Sequence, residues 1–155
     1  MKYKKNRLKN ILAAFLCALC LCMPGLSVSA AGEAYRIRDD FVLSRELIAR
    51  VIECTAPDAS YTARQALAAL ILNRTEDPRF PDDVRSVIYE RGVFECVDRV
   101  DFERVRPSDL SMKAARDALL GFDVSGGALY FKRGTLSESD GACLYHSGFL
   151  FYIEK

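Results

Sequence analysis

Glu53, Glu95 and Asp123 are three carboxyl groups of this 155-residue sequence that stand beside apolar or turn-forming residues. Glu53 comes near the end of an apolar stretch, LIARVIECT, with Thr55 two positions on; Glu95 follows Phe94 in GVFECV; Asp123 lies in FDVSGG. A carboxyl group held against apolar surface can keep its proton near neutrality and donate it to a leaving oxygen. A carboxylate that accepts backbone N–H groups in a turn has a structural task instead. Glu53 and Glu95 are candidates for the first role and Asp123 for the second. Thr55 has a hydroxyl that does not titrate near neutrality. Cys54, Cys96, Cys143 and the single histidine, His146, contain no C-x-x-C pair, so no zinc site is expected and the cysteines read as small buried side chains.

The elements that must position these groups follow from pattern. Ser44 is a candidate cap for a helix from Arg45 to about Cys54. At about 100° per residue, Leu47, Ile48, Val51 and Ile52 form an apolar face with Thr55 in its middle, and Glu53 falls on the opposite, solvent side. After the link APDAS, Thr62 and Gln65 make a T-x-x-Q capping box for a helix of about Ala63–Asn73. That helix is so rich in Ala and Leu that burial on most sides is expected. Asp82 is placed as the cap of a third helix that stops at Gly92, and Ser108 or Ser111 as the start of a fourth, with Met112, Ala115 and Leu119 on one face. VFECVDRVDFERVRP has no clear period. Ala128–Lys132 and Phe149–Ile153 read as two short strands, paired antiparallel across the loop containing Glu138–Asp140. The class is α+β: a small, mostly helical domain with a short C-terminal β element.

The first thirty residues read differently. Lys2, Lys4, Lys5, Arg7 and Lys9 precede an apolar run from Ile11 to Met23, and Val28 and Ala30 supply an A-x-A-like cleavage site. The expectation is a signal peptide over 1–30, an exposed leader over 31–43 and one domain over 44–155. A membrane link would exist only through an uncleaved signal, because the run falls short of the roughly 20 residues a spanning helix needs. The chain has 22 basic and 21 acidic residues; without the five basic ones of the signal it carries 17 against 21. A net charge of −4 with no basic stripe excludes nucleic acid as a partner.

Several segments in this order resemble the catalytic domain of the spore cortex-lytic enzymes, the SleB-like cell wall hydrolases. They are IARVIE, the helix ending ALAALILNR, DPRFPDDVRSVIYERGVFECV, ARDALLG and FDVSGGALYF, with FLFY near the end. The resemblance spans about Leu47–Tyr152. It implies a lysozyme- or transglycosylase-like fold and an extracytoplasmic protein, secreted or in the cell envelope. The expected partner is the glycan strand of peptidoglycan, cut as by a glycosidase or lytic transglycosylase without a cofactor. One protonated carboxyl group can serve such chemistry, first as acid and then as base.

In that family the first helix ends in E-A-x-G-E, whose first glutamate is the catalytic acid. Counting without gaps from Arg50 to Arg74 puts Thr55 at that position and Ala59 at the second glutamate. A two-residue insertion would place Glu53 there instead, and Glu95 is a further carboxyl group facing a possible cleft. The catalytic candidates are therefore Glu53, Thr55 and Glu95. Tyr61, Phe94, Gly126, Gly127 and Tyr130 are the substrate-binding candidates. The two glycines would permit a tight turn near the cleft, and one of Tyr130 and Phe131 would face a sugar while the other joins the core. The alternative to an enzyme is a catalytically inactive member that binds peptidoglycan or a cell-wall partner.

Overall fold

The computed structural model describes residues 28–134 and 144–153. The expected signal segment up to residue 27, the Glu138–Asp140 loop and Cys143 lie outside the described residues. The chain divides between Val42 and Leu43 into two units. In the first, the described residues are all helical, with Arg36, Arg38, Asp39 and Asp40 exposed. Among the described residues no helix is long and apolar enough to cross a membrane.

Helix α1 covers Val28–Thr55. The expectation of Ser44 as the cap of a helix starting at Arg45 is corrected here. A capping serine needs an extended backbone ahead of the helix, and Ser44 lies well inside one. The end of α1 is where the sequence puts it: Ala56 N donates to the Ile52 carbonyl, and the residue before Pro57 is disfavoured from continuing the helix.

Helix α2, Tyr61–Glu76, is the spine, with every residue from Ala63 to Arg74 buried. Its cap is Ser60 rather than Thr62. Ser60 has the extended backbone (ψ 161°) and accepts from Ala63 N, whereas Thr62 is already in the first turn. Helix α3, Val84–Ile88, is capped by Asp83, one residue beyond the expected Asp82. The segment without a period forms two 3-10 turns, Glu95–Asp98 and Phe102–Arg104, which bury Cys96 and Phe102. Helix α4, Asp109–Leu119, is capped by Ser108 and buries Ala114, Ala115 and Ala118, packing chiefly against α2. Such a stripe of alanines lets two helices approach closely.

Strands β1 (Tyr130–Arg133) and β3 (Phe149–Tyr152) pair antiparallel, Phe131 opposite Phe151. A third strand, β2 (Leu144–His146), lies on the other edge of β3. The central β3 is buried through Phe149, Leu150 and Phe151, and the core runs from these rings through Leu67, Leu70 and Ile71 of α2 to Ile48 and Ile52 of α1.

Candidate functional site

The end of α1 opens onto a cleft of about 630 Å³. Cys54 and Thr55 form one side; Gly92 through Cys96 and Arg99 form another; Phe131 and Arg133 of β1 form the third. Each side follows from local sequence. Thr55 reaches the cleft because it sits on the apolar face of α1 at its last turn. Gly92, at φ +79°, turns the chain after α3 in a conformation that side chains rarely adopt. That turn brings Phe94 back into the core, 3 % exposed, where its ring stacks on Phe131 at 5.7 Å. Strand parity then separates Phe131, on the cleft side, from Tyr130.

The charges in the cleft are mostly cationic. Arg133 Nη2 donates a 2.5 Å hydrogen bond to the carbonyl oxygen of Thr55, at the negative end of α1, and its guanidinium lies 4.8 Å from the Phe149 ring. Arg99 shares its charge with Asp101 at 3.3 Å on the surface. Thr55 Oγ1 and Cys96 Sγ lie 3.5 Å apart. Burial pushes the Cys96 thiol up to about 11, so it is a protonated, inert group at neutral pH. Glu95 lines the cleft as an exposed side chain at its rim. Cys54 and Cys96 are both free thiols.

Glu53 is elsewhere. Its expected place on a solvated face is corrected: its side chain is 20 % exposed and its Oε2 is surrounded by donors. Arg64 Nη1 lies at 2.9 Å, Ser108 Oγ at 2.6 Å, Ser111 Oγ at 2.8 Å and the Ser108 backbone N–H at 3.1 Å. The polar side of α1 is covered because the start of α4 and Arg64 of α2 converge on it. Arg64 also donates to the carbonyls of Ala59 and Pro57, fixing the link between α1 and α2. Burial alone would raise the Glu53 carboxyl, but the hydrogen bonds from Ser108, Ser111 and Arg64 outweigh it and hold it below its ordinary value. Glu53 is an anion that anchors the α4 start, the opposite of a stored proton.

Residues 58–143 match the family described as Cell Wall Hydrolase. This chain belongs to that family. It is 38% identical over 86 residues to the spore cortex-lytic enzyme of Halalkalibacterium halodurans, a span covering 56% of this chain and 26% of that protein. It is 35% identical over 85 residues to that of Bacillus subtilis, covering 55% and 28%. The chain thus spans between a quarter and a third of the length of these relatives. The solved catalytic domain of the Bacillus cereus SleB protein superposes with a TM-score of 0.60 at 27% identity, over 70% of this chain and 88% of that one. The catalytic domain of the germination-specific lytic transglycosylase SleB from Bacillus anthracis gives 0.60 at 26%, over 70% and 92%. The family match begins at residue 58, after the helix end that carries Glu53 and Thr55.

In this member of the family the cleft gathers Thr55, Phe94 and Glu95 but not the other sequence candidates. Tyr61 donates its hydroxyl to Asp117 of α4 and lies under Lys113, whose Nζ is 4.0 Å from the ring centre. Tyr130 stacks on Tyr152 at 5.6 Å and meets Phe80 and Arg74 on the other side of β1. Gly126 and Gly127 take positive φ, 69° and 81°, in a turn tied to α2: Asp123 accepts from Ser125 N and Gly127 N, and Asn73 Nδ2 donates to the Ala128 carbonyl. Asp123 therefore has the turn-holding place its surroundings suggest. Phe131 was weighed only as the alternative to Tyr130, and Arg133 and Arg99 were not among the sequence candidates. A polar Arg133 at the end of an aromatic strand was their one available signal. Arg64, a charge near the start of a helix expected to be buried on most sides, was the sign that a buried partner must meet it.

Proposed function

We propose that this cell wall hydrolase family member is an extracytoplasmic protein whose cleft binds the glycan strands of peptidoglycan without cutting them. The observation that carries this reading is the side chain at the end of α1: Thr55 lines the cleft where the SleB-like pattern has its acid. A threonine hydroxyl cannot deliver a proton to a glycosidic oxygen near neutrality. The nearest acid in sequence, Glu53, is held as an anion by Arg64, Ser108 and Ser111. The retained parts suit binding. Phe131, backed by Phe94, gives an apolar wall for a pyranose face, and the rim is polar.

A second reading, a glycosidase or lytic transglycosylase, rests on Glu95, whose carboxyl group lines the same cleft. One experiment separates the two. Purified protein is assayed for lysis of peptidoglycan by turbidity loss and for co-sedimentation with it, beside Glu95→Gln and Glu53→Gln variants. Binding without lysis supports the first reading. Lysis abolished by Glu95→Gln, with binding retained, overturns it in favour of the second.

A further inference from the structure

The cleft carries two guanidinium groups, Arg133 and Arg99, and one exposed carboxylate, Glu95. Arg133 is the better placed. Its Nη2 is fixed on the Thr55 carbonyl and its plane rests near the Phe149 ring, so the fork is held rather than swinging in solvent. Among the described residues no carboxylate pairs with Arg133, whereas Arg99 is shared with Asp101. A guanidinium fixed in this way presents its remaining N–H groups as a planar fork suited to a carboxylate. A neutral hydroxyl, Thr55, lies beside it, and the carboxylate that lines the cleft among the described residues, Glu95, is exposed and makes no ion pair with Arg133.

We infer that Arg133 makes the cleft a carboxylate-reading subsite, with Arg99 adding positive potential at the entrance. This rests on the peptidoglycan-binding reading above and names the group that is recognised: a carboxylate of the strand, on the lactyl ether of a muramic residue that carries no peptide or on a stem peptide. Glu95, of opposite sign, selects the orientation. It repels the ligand carboxylate from its own side of the cleft and accepts hydrogen bonds from sugar hydroxyl or amide groups. Phe131 takes the apolar face of the ring. A neutral polymer of N-acetylglucosamine would satisfy Phe131 and Glu95 and leave Arg133 without a partner.

The test is co-sedimentation of the purified protein with three insoluble polymers: native peptidoglycan, peptidoglycan whose carboxylates have been converted to amides with carbodiimide and ammonia, and chitin. Binding to the native polymer is expected to exceed binding to the other two by about tenfold, as loss of one charge-assisted pair implies. Arg133→Gln should lower native binding to the amidated level, and Arg133→Lys should recover part of it. Arg106→Gln, which removes the same charge from an exposed position outside the cleft, should bind like the parent. An amidase hydrolyses the amide that joins each stem peptide to its lactyl group and so frees a lactyl carboxylate at every cut; binding retained or raised on such strands assigns the lactyl group, and lost binding assigns the stem peptide. Equal parent binding to native and amidated polymer, or equal loss in Arg133→Gln and Arg106→Gln, overturns the carboxylate inference while leaving peptidoglycan binding intact. No binding to any peptidoglycan overturns both.

Discussion

Glu53 and Arg64, eleven positions apart on successive helices, form a largely buried ion pair at 2.9 Å that is closed by the serines at the start of a third helix. The pair joins α1, α2 and α4 at one point. The carboxyl group nearest the expected catalytic position is thereby a fastening, and among the described residues the cleft beside Thr55 is left with Glu95 as its carboxyl group.

Breaking this pair should destabilise the fold strongly. Removing one partner leaves the other charge buried and unpaired, a cost of about 3 kcal/mol for a site this enclosed. Glu53→Ala is expected to lower Tm by roughly 10 °C in a calorimetric scan. Glu53→Ala and Arg64→Ala combined should cost less than the sum of the two. Additive losses would show that the groups do not act as a pair.

Acid should unfold the protein through Glu53 and Asp123. Both carboxyl groups sit below their ordinary values of 4.5 and 3.8; burial opposes this, and their hydrogen bonds prevail. A folded value below the unfolded one means that stability is present above the unfolded value and lost as pH falls through the folded one. Urea midpoints should therefore be flat near neutrality and fall below about pH 4.5, and Asp123→Asn should be less stable at pH 7 and show a shallower fall. An undiminished slope in that variant would remove Asp123 from this account.

Returning an acid to the end of α1 should not by itself create a lytic enzyme. The side chain introduced by Thr55→Glu would lie close to Arg133, which already hydrogen-bonds the same residue's carbonyl. A guanidinium within about 4–6 Å cuts the protonated fraction of a carboxyl group by roughly ten- to a thousandfold. Turbidity assays should show little lysis for Thr55→Glu and more for Thr55→Glu with Arg133→Asn. Strong lysis by the single variant would mean that Arg133 does not govern that position.

Cys96 should resist alkylation. With its thiol raised to about 11 from an ordinary 9.0, its thiolate fraction at pH 8 is about a hundredfold below that of an unperturbed cysteine. Mass spectrometry of iodoacetamide-treated protein should find Cys96 modified slowly in the native state and rapidly in urea. Fast native labelling would mean that the cleft floor is open.

The class, the helical spine and the pairing of Ala128–Lys132 with Phe149–Ile153 were legible in the sequence, because these depend on periodicity and on local turn chemistry. The apolar helix face that carries Thr55 was legible too, but not whether that face meets the core or a cleft. Thr62 misled because several residues near a helix start can cap it and the sequence does not say which takes the extended backbone; Ser44 misled because a serine inside a longer helix looks the same in sequence as one at its start. Glu53 misled for a different reason. A helical wheel describes one helix in water, and it cannot know that Arg64 and the start of α4 will close over the polar side. Tyr130 and Phe131 alternate by necessity, but which of them meets the cleft depends on how the sheet lies against α2. The amino-acid sequence by itself therefore determined the elements and the type of residue at the end of α1. Only the tertiary structure decided which charges meet there, because Glu53, Arg64 and Ser108, like Thr55 and Arg133, are brought together by packing between separate elements.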